Sequence, residues 1–184
     1  MEFLKKHWSN ILFALFVAAM LIPQTRTPIV VFVQRTFAIG PSVKKNKAQL
    51  QDYDWQVRNS KNESISFTEA QDEVVLLNFW ATWCPPCIAE MPSMQKLYDS
   101  YGDKVQFYLV TDEEPEKVNQ FMEKYNYTLP IYYSEYAPPK LLQSRALPTT
   151  FVIGKDGKIH IKETGSARWH GNRVTDLLDE LLAE

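Results

Sequence analysis

The sequence predicts an α/β domain whose mixed central sheet is flanked by helices, preceded by an N-terminal transmembrane anchor helix. Three observations predict it. Apolar strand-like runs alternate with helix-like segments from Trp55 onward. An Asp156-Gly157 turn between two β-rich runs marks an antiparallel hairpin late in the chain. An uncharged apolar run, Ile11 to Ile22, follows Lys5-Lys6-His7 near the start.

The anchor comes first. Trp8 through Thr25 is 18 residues, about 27 Å of helix, close to the roughly 30 Å of a hydrocarbon layer. Trp8 and the lysines suit one interface, and Pro23, Gln24 and Arg26 suit the other. A cleaved signal peptide is the rival reading, but Gln24-Thr25-Arg26-Thr27 is a poor cleavage site. Lys5 and Lys6 favour a cytoplasmic amino terminus. Residues 28–54 read as a linker with a short apolar patch, Ile29–Val33, that suits a membrane surface, a partner or a plain strand. The expected division is therefore 1–27 stub and anchor, 28–54 linker, and 55–184 catalytic domain.

The domain follows in order. Trp55-Gln56-Val57 and Ser64–Phe67 flank a turn-rich stretch and predict a hairpin. Val74–Phe79 is a nearly unbroken apolar run suited to a buried central strand. Pro85 to Tyr101 reads as a helix and Val105–Val110 as a second buried strand. Pro115 to Tyr125 reads as a helix, with proline in its favoured first-turn place. Ile131-Tyr132-Tyr133 is a short strand, and Tyr132, Tyr133 and Tyr136 are expected in the core. Thr149–Ile153 and Lys158–Lys162 form the late hairpin. Val174, Leu177, Leu178, Leu181 and Leu182 make a one-sided stripe for a closing helix.

Composition excludes several functions. The net charge of -2 gives no basic field for nucleic acid. Within it, Lys5, Lys6, Arg26 and Arg35 against Glu2 leave residues 1–43 at +3, so the remainder carries -5. Two cysteines, Cys84 and Cys87, cannot staple a small domain. They can form one local disulfide or half of a metal site.

Trp83-Cys84-Pro85-Pro86-Cys87 carries the chemistry. A cysteine pair at a helix start, just after a buried strand, sits at the carboxyl edge of a sheet, where ligands bind. The first sulfur lies near unsatisfied N–H groups and the positive end of the helix dipole, which favour thiolate. Cys84 is thus the attacking thiol and Cys87 the resolving one. Pro85 and Pro86 supply no N–H, which leaves the Cys87 and Ile88 amides as first-turn donors. With no Lys, Arg or His from Trp80 to Gln95, the thiolate is stabilised only moderately, and the pair is expected to be reducing.

The run Asn78-Phe79-Trp80-Ala81-Thr82-Trp83-Cys84-Pro85-Pro86-Cys87 resembles the active-site segment of the thioredoxin superfamily. Its continuation Ile88-Ala89-Glu90-Met91-Pro92 is similar to that of the TlpA/ResA-type thiol-disulfide oxidoreductases. The resemblance covers roughly residues 55–184. It implies a thioredoxin-like fold, an anchored extracytoplasmic domain on the bacterial cytoplasmic membrane, and no cofactor beyond the Cys84–Cys87 disulfide. It also implies an upstream membrane electron donor and a disulfide-containing protein substrate. Arg145-Ala146-Leu147-Pro148-Thr149 resembles the loop whose proline is cis and faces the cysteines, with Leu147 offering its backbone to an extended partner. Trp83, Pro85, Pro86, Leu147 and Thr149 are the expected partner-binding residues. Cys84, Cys87, Glu90 and Pro148 are the expected catalytic set.

Thioredoxin has a buried aspartate where this chain has Asn78, which cannot take a proton. Glu90 is the replacement: three residues after Cys87 on one helical face, it would accept the Cys87 proton if burial raises its pKa. Pro92 is expected to leave one kinked helix. Trp80 is expected inside and Trp83 exposed. Zinc would need more ligands than His160 and His170 provide, and Ile88 stands where haem attachment needs histidine. The non-enzymatic alternative is a thioredoxin-like binding module or a metal carrier.

Overall fold

A computed structural model describes residues 2–44, 48–134 and 136–184, with the side chains of residues 2–6, 23 and 24 left aside. The linker reading at Lys45–Lys47 lies outside the described residues. The domain elements are β1 (Gln56–Asn59), β2 (Ser64–Ser66), β3 (Val75–Phe79), α3 (Pro85–Tyr101), β4 (Gln106–Thr111), α4 (Pro115–Tyr125), β5 (Ile131–Tyr133), β6 (Thr149–Ile153), β7 (Ile159–Thr164) and α5 (Asn172–Ala183). They are preceded by α1 (Glu2–Leu21) and α2 (Pro23–Phe37).

Among the described residues the strands form one seven-stranded sheet in the order β2-β1-β5-β4-β3-β6-β7. β3, β4 and β5 run parallel, β6 pairs antiparallel with β3, and β7 pairs antiparallel with β6. The mixed sheet flanked by helices matches the thioredoxin-like expectation. Alternation along β3 divides its side chains between two cores. Leu76 and the following Trp80 join residues of α3, α4 and α5 in the larger core. Val75 and Leu77 face the second core with Trp55, Phe67 and Phe151. Asn78 has the parity of Leu76, so the sequence itself turns this polar residue towards the α3 side. Trp80 is 1% exposed and its ring lies 5.5 Å from that of Phe121, as expected for a core residue.

The first departure concerns the N-terminal segment. Among the described residues no single helix is long and apolar enough to cross a membrane. His7–Leu21 and Thr25–Phe37 pass that test only as a pair, bent by 96°. The continuous helix expected over Trp8–Thr25 is interrupted at Ile22, which is extended (φ -92°, ψ 119°) ahead of Pro23. The ring of Pro23 disfavours helical geometry in the residue before it, which is the physical reason for the break.

The second departure is the linker. Ile29–Val33 is helical, within α2, and Val31 is buried. α2 packs on α3. Beyond it, the Arg168 N–H donates to Ile39 O (3.0 Å), the Arg173 guanidinium donates to Gly40 O (3.1 Å), and the Ser42 N–H donates to Glu163 Oε2 (3.0 Å). Val43 and Gln49 make single bridges to Ile161 and Lys158 at the β7 edge. Leu50, Tyr53 and Trp55 then cover the second core. This strap earns its place through buried aromatic and aliphatic area, which an argument from local polarity overlooks.

Gly157 holds the strap and the late hairpin together. Its φ is +77°, and a β-carbon there would sit 2.7 Å from Leu50 O. The Leu50 N–H donates to Gly157 O at 2.8 Å. Gly157→Ala is expected to destabilise the protein by about 2 kcal/mol, from left-handed strain plus the displaced strap. Urea denaturation followed by tryptophan fluorescence measures it; a loss under about 0.5 kcal/mol would mean the strap yields freely.

Candidate active site

Strand register builds the site. Phe79, the last residue of β3, pairs with Thr149, the first of β6. Because the two strands are antiparallel, the chain leaving β3 and the chain entering β6 meet at one sheet edge. That edge therefore receives Trp80–Cys84 from one side and Arg145–Pro148 from the other. The Leu147–Pro148 peptide bond is cis, as the resemblance implied.

Cys84 is the N-cap of α3, with Pro85 in the first helical position. Cys84 and Cys87 are disulfide-bonded, with their Cα atoms 5.2 Å apart. The Cys87 N–H donates to Cys84 Sγ at 3.3 Å. The Ile88 N–H, the other anticipated donor, is taken by Cys84 O at 3.0 Å. The prolines thus leave one backbone amide on this sulfur among the described bonds. Cys84 is 4% exposed and Cys87 is fully buried. Pro85 and Pro86 are half-buried, and Trp83 is 68% exposed beside Cys84.

The loop before Cys84 is braced by a residue that sequence reasoning passed over. Glu113, just after β4, accepts the Thr82 N–H (2.5 Å) on one oxygen and the Thr82 hydroxyl (2.8 Å) on the other. Only the parallel pairing of β3 and β4 brings these residues together, so nothing local announces the contact.

Glu90, three residues on from Cys87 in α3, is buried at 2% exposure. Asn78 Nδ2 donates to its Oε1 at 2.9 Å. The Trp169 indole N–H donates to Oε2 at 2.9 Å, and the Ala167 N–H to the same oxygen at 3.3 Å. The Glu90 carboxyl is raised from 4.5 to about 8: burial raises it most, the three donors offset part of that rise, and the charge of Glu163 adds to it. Asn78 also donates to Thr150 Oγ1 at 2.7 Å, its cross-strand neighbour on β6. Asn78 has no acidic group of its own, and its amide ties the Glu90 carboxyl to β6.

Leu147 is half-buried and Pro148 buried. Thr149 requires a correction. Its side chain is fully buried and donates to Ala146 O at 2.8 Å, so it closes its own loop and offers no side chain to a partner. Its place in a β6 flanked by β3 and β7 turns it inward. Tyr136 is corrected in the other direction. Tyr132 and Tyr133 pack inside or nearly so, but Tyr136 is 70% exposed, carried out by the turn after β5. It lines a groove of about 720 Å³ with Trp80, Thr111, Pro138, Arg145 and Leu147. The groove opens at the same sheet edge as the cysteines. Among the described residues no group of three or more His, Cys, Asp and Glu is placed to hold a metal ion.

A disulfide at a helix start, a buried carboxyl behind it and a cis-proline loop opposite define a thioredoxin-superfamily protein. The chain belongs to the AhpC/TSA family, whose profile matches residues 47–162, and within that superfamily it is ResA-like. It is 34% identical over 117 residues to the thioredoxin-like protein YneN of Bacillus subtilis, covering 61% of this chain and 69% of that one. It is 38% identical over 110 residues to the thiol-disulfide oxidoreductase ResA of Halalkalibacterium halodurans, covering 57% and 61%. The alignment with that ResA thus spans less than two thirds of its length. Among solved structures it is similar to StoA from Bacillus subtilis, with a TM-score of 0.52 and 25% identity, over 71% of this chain and 96% of that one.

Proposed function

We propose that this protein is a membrane-attached thiol-disulfide oxidoreductase that reduces disulfides in partner proteins through Cys84 and Cys87. The observation that carries the reading is the cysteine pair at the N-terminus of α3 with the buried Glu90 one turn behind it. The Cys84 thiolate attacks a partner disulfide, forming a Cys84–partner bond and releasing one partner thiolate, which takes a proton. Cys87 then passes its proton to the Glu90 carboxylate and attacks Cys84 Sγ. The Cys84–Cys87 bond forms and the second partner thiolate leaves with a proton. Two electrons have moved to the partner, and an upstream membrane dithiol donor returns two. In that reverse direction the protonated Glu90 supplies the proton for the departing Cys87. A carboxyl near pH 8 serves both directions at neutral pH.

Partner contact is assigned to Trp83, Pro85, Pro86 and the Leu147 backbone, with the adjoining groove taking the flanking chain. Attachment is assigned to the bent pair α1 and α2, whose exposed Phe13, Phe16, Phe32 and Phe37 suit a bilayer core and its interface. The catalytic domain then lies on the extracytoplasmic side of a bacterial cytoplasmic membrane, where partner disulfides persist.

The test is reduction of a model protein disulfide by the dithiol form, with the reduction potential measured on the same sample. A potential well below about -120 mV together with turnover is expected. No exchange, or a potential at that oxidising end, would sink the reductant reading.

A further inference from the structure

We propose that Trp169 is a positioning residue for thiol exchange: its indole N–H, acting with the Ala167 amide, fixes Glu90 Oε2 and favours the ionised carboxylate. The proposal rests on the reading of Glu90 as the proton carrier, and it adds the element that governs that carrier.

The residues responsible sit in the loop between β7 and α5. This loop is tied down at each step. The Gly165 N–H donates to Pro148 O at 2.9 Å, next to the cis bond. The Ala167 N–H and Trp169 indole converge on one Glu90 oxygen. The Trp169 backbone N–H donates to Ser93 Oγ at 3.1 Å, and Ser93 in turn donates to the Glu90 carbonyl at 2.8 Å. Trp169 is fully buried, so its indole has one setting and its N–H one direction. The loop therefore touches the cis-proline segment and the carboxyl behind the cysteines at once.

The chemistry of the contact decides its effect. An indole N–H only donates. It can serve a carboxylate lone pair, and it can never accept the proton of the neutral acid. Its contribution is therefore larger for ionised Glu90. The Asn78 amide reaches Oε1 from β3 and Glu163 acts from β7, the first favouring and the second opposing ionisation. The three donors to the Glu90 carboxyl among the described residues, Asn78, Ala167 and Trp169, are all neutral groups. These neutral donors oppose the effect of burial, and Trp169 is the side-chain donor on Oε2.

The experiment uses the full chain with its cysteines reduced. The Glu90 carboxyl is titrated by its infrared C=O stretch, assigned by its loss in Glu90→Gln. The rate at which Cys87 resolves a Cys84 mixed disulfide is followed over the same pH range. Two variants remove the donor: Trp169→Phe, and 3-benzothienylalanine at position 169, which keeps the indole shape and lacks the N–H. In both, the carboxyl midpoint is expected to rise by about one pH unit. The acid limb of the resolution rate should follow it, giving a roughly tenfold slower rate at pH 7. An unmoved midpoint in the benzothienylalanine protein would overturn the proposal, whatever the rates do. A shifted midpoint without a shifted rate, with Glu90→Gln also at full speed, would remove Glu90 from the mechanism and leave only Trp169's hold on the carboxyl.

Discussion

Cys84→Ser is expected to reduce disulfide exchange to the uncatalysed background, whereas Cys87→Ser should retain the first half of the reaction and stall. The asymmetry follows from position. Cys84 caps α3, receives the Cys87 N–H at 3.3 Å, and is the residue of the pair that keeps some exposure, at 4%. Cys87 is one turn inside with none. A partner sulfur must approach in line with the bond it attacks, and only Cys84 can be approached from the groove edge. Cys87→Ser should therefore accumulate mixed disulfides through Cys84, visible on non-reducing gels after acid quenching. Equal yields of adduct through Cys87 in the Cys84→Ser protein would reverse the assignment. Trapping in native cell extract would also reveal the partner, and the exposed Trp83 and Tyr136 predict that it binds with an extended segment across that edge.

Glu90→Gln is expected to have two effects of opposite sign. Resolution by Cys87 should slow by about 10²-fold or more, because the proton acceptor is gone. Stability above neutral pH should rise. The folded protein keeps the Glu90 proton up to about pH 8, whereas the unfolded chain releases it near 4.5. Between those values the folded state binds more protons, so stability falls as pH rises. The span corresponds to on the order of 5 kcal/mol, fully present below pH 4.5 and lost as pH rises through about 8. A neutral glutamine keeps the acceptor for Trp169 and carries no charge to desolvate. Urea unfolding of the oxidised protein at pH 5 and pH 8.5 measures the difference. If wild type and Glu90→Gln change equally between those two values, Glu90 is not the titrating group.

Local chemistry placed much of this site. Helix α3 begins at Pro85 because proline suits a first turn. The unbroken apolar run of β3 requires burial on both faces, and the Asp156-Gly157 turn allows little but a hairpin. With Cys84 and Cys87 between the strand and the helix, the reactive edge follows from the one-dimensional pattern. So does the side of the sheet that Asn78 faces, since alternation along a strand is a short-range property.

What the chain alone did not disclose depends on contacts between residues far apart in sequence. Asn78, Glu90 and Trp169 become one group because β3, α3 and the loop before α5 stack in space. No spacing rule connects them. Glu113 braces Thr82 only because β4 lies beside β3. The strap of Leu50, Tyr53 and Trp55 looks polar locally and is ordered by the sheet face it covers. The N-terminal segment shows both limits together. Its apolar content was plain, while the 96° bend at Ile22 came from one proline's steric demand on its neighbour. The cysteine pair could thus be read as redox-active from the sequence. The proton affinity of the carboxyl behind it could not, because burial and three distant donors set that affinity together.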